Sequence, residues 1–227
     1  MEFGSRDSGS HQIPNPRPRI PSLNAIVDAE AAGRIGWRPI DVARAFLSGG
    51  ARFLQLRAKD LSGGALLDLA REMADAARSA GATLVINDRA DVALLARAHG
   101  VHVGQDDLAP ADVRAVVGTA MIVGLSTHTT AQIDAAVGQA IDYVAVGPVF
   151  GTTTKATGYE AIGLGLVREA AARAAAADKP LLAIGGITLR NASSVVDAGA
   201  ASIAVIGDLL STGDPEGRVR EYLRALA

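Results

Sequence analysis

The segment Gly147-Pro148-Val149-Phe150-Gly151-Thr152-Thr153-Thr154-Lys155 follows a short apolar run, Tyr143–Val146, and gathers two glycines, three hydroxyls and one lysine. Glycine exposes backbone N–H groups, the hydroxyls donate, and the lysine adds a mobile positive charge, so the composition suits an anionic ligand. Two other apolar runs end in similar chemistry: Gln55-Leu56-Arg57-Ala58-Lys59 and Asn87-Asp88-Arg89. Polar and ionisable groups at the ends of several strands describe an active site.

Gln55, Arg57 and Lys59 alternate with Leu54 and Leu56, and a period of two turns them to one side of a strand. One amide and two cations aimed together can hold a heteroaromatic ring and a diphosphate; a solvated strand end with incidental salt bridges has the same composition. Asn87-Asp88 and Gly104-Gln105-Asp106-Asp107 each follow an apolar run. Mg²⁺ takes carboxylate, water and phosphate oxygens, so Asp88 with Asp107 suits that ion beside a diphosphate. Asn and Asp also favour turns and caps for reasons of their own, but two such pairs at neighbouring strand ends favour the metal. Ser126-Thr127-His128 offers a hydroxyl donor in Ser126 and a loop or helix-entry residue in His128, since residues two apart in a turn rarely form a nucleophile–base pair. His102, between Val101 and Val103, reads as a satisfied structural histidine. Ala183-Ile184-Gly185-Gly186-Ile187 and Val205-Ile206-Gly207-Asp208 place glycines where a phosphate can approach the backbone, although paired glycines also permit plain tight turns.

These positions need a scaffold that brings many strand ends together. From about residue 23 the chain alternates short aliphatic runs with longer alanine-rich segments. Strands are expected at Asn24–Val27, Phe53–Leu56, Thr83–Ile86, Val101–Val103, Met121–Leu125, Tyr143–Val146, Leu181–Ile184 and Ser202–Ile206. Helices are expected near Ile40–Ser48, Gly64–Ala80, Ala90–Ala98, Pro110–Val117, Ala131–Ala140, Leu164–Ala177, Asn191–Ala198 and Pro215–Ala225. Ser62, Thr130 and Asp214 suit caps, Pro110 suits a first helical turn, and Gly81 and Gly199 suit helix ends. Strands that read as buried on both faces, each followed by a helix, fit a single parallel (β/α)₈ TIM barrel; an open doubly wound sheet is the alternative. In the barrel the carboxyl ends of all strands share one mouth. The stretch Gly147–Gly163, with Gly151 and Gly158 as hinges, reads as a lid.

The bulk numbers narrow the field. Of 227 residues, 49% are hydrophobic and only 4% aromatic, so aliphatic side chains and alanine fill one sizeable core. A net charge of −2 gives no global field for nucleic acid or an anionic membrane. With no cysteine, disulfides, thiolate metal sites and a cysteine nucleophile are excluded. No apolar run is long enough for a membrane span and the amino terminus has no secretory apolar core, so a cytoplasmic location is expected. Residues 1–22 read as a separate flexible arm: Met1-Glu2-Phe3-Gly4-Ser5 looks like translated cloning sites, and Pro14, Pro16, Pro18 and Pro21 impose extended backbone.

Taken together, Gln55–Lys59, Asn87–Arg89, Gly100–Asp107, Gly124–His128, Gly147–Lys155 and Ala183–Ile187 resemble the thiamine phosphate synthase family over roughly residues 23–227. The resemblance implies a transferase that joins hydroxymethylpyrimidine diphosphate to hydroxyethylthiazole phosphate and releases pyrophosphate through a carbocation-like step. It implies that Gln55, Arg57, Lys59 and Asn87 hold the pyrimidine diphosphate, that Asp88 and Asp107 carry Mg²⁺, and that Ser126 lies close to the pyrimidine. Lys155 would touch the departing diphosphate, while Thr152 and Thr154 line the thiazole-phosphate side with Gly186, Ile206 and Gly207 at its phosphate. Arg57, Lys59, Ser126 and Lys155 are the expected catalytic set, small molecules the expected partners, and a homo-oligomer is compatible with the sequence. Two departures stand out: Gly207 replaces a serine of many relatives, and Asn24–Asp28 with the stretch to Pro39 is less typical. A thiazole tautomerase would lack much of the metal and diphosphate set, a sugar-phosphate isomerase would need an acid/base pair, and a non-catalytic binder would bind without releasing pyrophosphate.

Overall fold

The computed structural model describes residues 20–151 and 159–227. Eight parallel strands pair in chain order and close on themselves. They are β1 (Leu23–Asp28), β2 (Phe53–Arg57), β3 (Thr83–Asn87), β4 (Gly100–Val103), β5 (Ile122–Thr127), β6 (Tyr143–Val146), β7 (Leu181–Ile184) and β8 (Ser202–Val205). Closure comes from β1 lying beside β8, with Leu23 opposite Ile203 and Ala25 opposite Val205. The open-sheet alternative is thereby overturned, because both edges are paired. Each expected strand is present, and β5 runs on to Thr127, which keeps Ser126 inside the sheet rather than in a turn.

The helices are α1 (Ala29–Arg34), α2 (Pro39–Ser48), α3 (Gly63–Ser79), α4 (Ala90–Leu95), α5 (Pro110–Val117), α6 (Thr130–Val137), α7 (Gly163–Ala176), α8 (Ala192–Asp197) and α9 (Pro215–Ala225). The short α1 and a 3₁₀ turn at Gly207–Leu210 were not expected. The α1 sequence, AEAAGR, has no bulky apolar residue to mark a buried face, and the helix is started by Asp28, whose carboxylate accepts from Ala31 N at 2.8 Å. Ser62 and Asp214 cap α3 and α9 as expected, but Thr129 rather than Thr130 caps α6. Thr129 has the extended backbone a cap requires and accepts from Gln132 N, while Thr130 is already helical. Gly81 and Gly199 close their helices at φ +63° and +101°.

Strand alternation divides the core in two. One set of side chains, including Leu54, Leu56, Ile86 and Val101, packs outward against the helices. The inward set is Ile26, Phe53, Val85, Ile122, Tyr143, Ala145, Leu182 and Ala204, with Ile20 against it. Above this apolar plug the inward positions turn polar, and that transition makes the site. Residues 1–19, most of the expected arm, lie outside the described residues. No helix among the described residues is long and apolar enough to cross a membrane.

Candidate active site

A cavity of about 360 Å³ opens at the carboxyl ends of the strands. Gln55, Arg57, Asn87, Ser126, Gly186, Ile206 and Gly207 all line it, joining residues that are up to 152 positions apart in the chain. Ile26, Ala145, Leu182 and Ala204 form its apolar floor. A flat ring over aliphatic side chains, with polar groups at its edge, is the ligand such a cavity accepts.

The polar layer is wired across the strands. Asn24 Nδ2 donates to Gln55 Oε1 at 3.4 Å, and Gln55 Nε2 donates to Asn87 Oδ1 at 3.0 Å. Arg57 pairs with Asp28, whose side chain is only 2% exposed. Because Asp28 also caps α1, a single carboxylate ties the guanidinium to a helix start and fixes it at the cavity wall. Asn24 and Asp28 were not among the expected site residues. Their signal was present: Asn24, Ile26 and Asp28 share one face of β1, and a polar residue at a barrel-facing position has to serve the mouth or find a partner.

Lys59, Asp88 and Asp107 do not line the cavity itself; they form a charged rim beside Asn87. Lys59 Nζ lies 3.1 Å from Asp88 Oδ2. Burial first, then the hydrogen bond and negative charge of Asp107, push the Asp88 carboxyl above its ordinary value, with Lys59 opposing. Asp88 also has φ +65°, a left-handed backbone held by Asp88 N donating to His102 O at 2.8 Å. Asp107 Oδ2 accepts from Gly104 N at 2.7 Å. Two carboxylates turned onto each other fit a divalent cation. Among the described residues they are joined by no third acidic or histidine side chain able to complete a metal site. That donor set matches Mg²⁺, which keeps waters and takes substrate phosphates for its remaining positions.

At the opposite side Gly185 and Gly186 adopt φ +103° and +63°. A Cβ on Gly186 would stand 2.6 Å from Gly151 O and 2.8 Å from Phe150 Cβ, so glycine serves both the backbone angle and the close approach. Asn191 Nδ2 holds Gly186 O at 3.2 Å. Gly207 opens the 3₁₀ turn, whose Asp208 is anchored by Arg218, by Tyr222 Oη at 2.6 Å and by Leu189 N at 3.1 Å. Thr188 and Ser211, also unexpected, add hydroxyls to this wall. The expected Thr152, Thr154 and Lys155, and the middle of the expected lid, lie outside the described residues. Phe150 N to Gly185 O at 3.0 Å and Ile162 N to Pro148 O at 2.8 Å pin the flanks of that segment.

The histidines require a revision. His102, satisfied as a structural histidine would be, also lines the cavity, with Nε2 2.8 Å from Ser126 Oγ and Nδ1 2.8 Å from Tyr143 Oη. Its satisfied state was rightly expected; its location was not, although Gly100–Val103 alternates so that His102 faces opposite to Val101 and Val103. His128 also lines the cavity, bonding Gly147 O through Nδ1 at 2.6 Å and stacking on Tyr159 with ring centroids 3.8 Å apart.

The chain is similar to known proteins along most of its length. The family model described as thiamine monophosphate synthase matches residues 23–209. The chain is 45% identical over 213 residues to a thiamine-phosphate synthase of Koribacter versatilis, covering 92% of this chain and 97% of that one. It is 44% identical over 219 residues to the thiamine-phosphate synthase of Roseiflexus castenholzii, covering 94% and 93%. Among solved structures, thiamine phosphate pyrophosphorylase from Pyrococcus furiosus superposes with a TM-score of 0.82 at 27% identity, over 93% of this chain and 98% of that one. With both the fold and the sequence agreeing over most of the chain, this barrel belongs to the thiamine monophosphate synthase family.

Proposed function

We propose that this enzyme joins 4-amino-2-methyl-5-(diphosphooxymethyl)pyrimidine to 4-methyl-5-(2-phosphooxyethyl)thiazole, forming thiamine phosphate and pyrophosphate. The observation that carries this reading is the adjacency of a ring-sized cavity to a rim bearing Lys59, Asp88 and Asp107, within a chain of this family.

The carbon–oxygen bond between the pyrimidine methylene and the diphosphate breaks, and both electrons leave with the diphosphate. The electron-rich aminopyrimidine carries the resulting positive charge on its methylene carbon. The thiazole nitrogen then gives its lone pair to that carbon, closing the new carbon–nitrogen bond. No enzyme nucleophile or base is needed. Arg57 and Lys59 stabilise the negative charge that builds on the leaving group. Asp88 and Asp107 would hold Mg²⁺, which when bound supplies further positive charge against the diphosphate. Gln55 and Asn87, locked into one amide chain, orient the pyrimidine and its diphosphate, and Ser126 reaches the ring. Lys155 is assigned to the departing diphosphate and Thr152 and Thr154 to the thiazole phosphate, on resemblance alone. Gly186, Ile206 and Gly207 cradle that phosphate, with Gly207 offering only its backbone. The apolar floor shields the cation from water, and the bound geometry brings nitrogen to carbon.

Incubating the protein with both precursors and Mg²⁺, and measuring pyrophosphate together with thiamine phosphate, tests the reading. Coupled formation of both products, abolished by a chelator and restored by Mg²⁺, is the expected result. Failure of folded protein with authentic substrates would overturn it.

A further inference from the structure

We propose that Tyr143 and His102 form a fixed relay that holds Ser126 as a hydrogen-bond donor to an acceptor atom of the substrate's pyrimidine ring. The identity of the ring rests on the synthase reading above; the direction of the relay does not. His102 and Tyr143 are positioning residues, acting through Ser126.

The direction follows from the inner end. Tyr143 is fully buried in the plug, and desolvation drives its phenol well above its ordinary pKa, keeping the proton on oxygen. A buried hydroxyl must donate, and the hydrogen-bond acceptor at Tyr143 Oη is His102 Nδ1, 2.8 Å away. Nδ1 therefore offers its lone pair, and a neutral imidazole then carries its hydrogen on Nε2. Nε2 faces Ser126 Oγ at 2.8 Å, so the serine oxygen accepts, and its own hydrogen is left for another partner. Among the described residues no hydrogen-bond acceptor engages the Ser126 hydroxyl, whose only side-chain hydrogen-bond partner is the donating imidazole, and Ser126 lines the cavity. The donated proton therefore points to the ligand.

The relay is held on every side. The His102 and Tyr143 rings stack, with centroids 5.5 Å apart and planes at 20°. Phe53 meets the Tyr143 ring edge-on at 6.1 Å. Gly124 lies opposite Tyr143 in the β5–β6 register, and a Cβ there would overlap the phenol. Ser126 is fixed from behind by Gln105 Nε2, which donates to Ser126 O at 2.6 Å. A rigid donor discriminates sharply between a ring that offers an acceptor and one that does not, because the unmatched case leaves a buried polar group unpaired.

The direct test is ¹⁵N NMR of histidine-labelled protein without substrate, with the His102 signals assigned by their loss in His102→Gln. Nitrogen shifts of an unprotonated Nδ1 and a protonated Nε2 are expected; the reverse tautomer would overturn the relay. Tyr143→Phe, which keeps the ring, is expected to lower kcat about tenfold or more while leaving the KM for the thiazole phosphate unchanged. Combined with Ser126→Ala, it should add no further loss, since both act through one hydrogen bond. Multiplicative losses in the double variant would mean independent, merely structural roles. Should the expected tautomer be found in a protein that does not turn over pyrimidine diphosphate, the relay stands and the synthase reading falls.

Discussion

Arg57 and Lys59 carry the same charge two residues apart, yet their surroundings set different consequences for losing them. Arg57 closes over the buried Asp28 and is itself 14% exposed. Removing it in Arg57→Ala leaves a desolvated carboxylate with its Ala31 N–H but no counter-charge, and a broken buried pair costs about 3 kcal/mol or more. Denaturant unfolding should show that loss alongside a fall in turnover. Lys59 is 51% exposed, and its contact with Asp88 is the kind of surface pair worth less than about 1 kcal/mol. Lys59→Ala should therefore unfold almost as the parent does while pyrophosphate release drops about 100-fold, the scale of losing one preorganised charge contact. Equal stability losses in the two variants would refute this division. Asn24 shows the same contrast between type and place: an amide buried in β1 has little meaning until Gln55 and Asn87 are seen to continue its hydrogen-bond chain.

At the scale of elements, the barrel depends on loops that enter strands at the right height, and His99 governs one such entry. Its Nδ1 accepts from Leu84 N at 3.0 Å, joining the turn before β4 to β3. Burial, reinforced by the positive charge of Arg78, lowers its pKa below the ordinary 6.5. The neutral form is thus favoured by folding, and its stabilising contribution is complete above pH 6.5. It is lost progressively as pH falls from there to the lowered folded value, because the unfolded chain binds the proton first. Thermal melts between pH 5 and 8 should show an acid-side decline that is reduced in His99→Asn, whose side-chain oxygen keeps an acceptor without titrating. An unchanged decline would assign it to other groups. Elements were also where the sequence was most legible. Every strand stood as a mainly aliphatic run, since a strand covered by helices outside and by side chains inside shows polar residues only at the few inward positions that serve the site. The short α1 and the turn at Gly207–Leu210 were invisible because each follows closely on a strand end and is held by caps and tertiary partners rather than by an apolar stripe of its own.

Considered as a whole, the molecule couples its ligand site to barrel closure, since Ile26 on β1, Ser126 on β5 and Ile206 after β8 meet at one cavity. A ligand that binds this closed form and not the unfolded chain must raise its stability by mass action. At 100 times its dissociation constant, pyrimidine diphosphate with Mg²⁺ should stabilise the fold by about 2.7 kcal/mol, or roughly 5–10 °C in Tm for a domain of this size. Scanning fluorimetry should record that shift and should lose most of it with a chelator; a shift indifferent to chelation would argue against Asp88 and Asp107 as the metal seat. The sequence by itself determined the repeating strand–helix order, the lack of cysteine chemistry and the residue types at the strand ends, because periodicity, composition and local turn chemistry are written in consecutive residues. It also pointed to Gln55, Arg57, Asn87, Asp88, Asp107 and Ser126 through motifs in a specific order. Only the tertiary structure decided that Asp28 anchors Arg57, that Asp88 and Asp107 turn onto each other at a rim outside the cavity, and that His102 links Tyr143 to Ser126. Those pairings join residues 19 to 41 positions apart, and a partner across a barrel is chosen by strand register and closure, which no local stretch of sequence encodes.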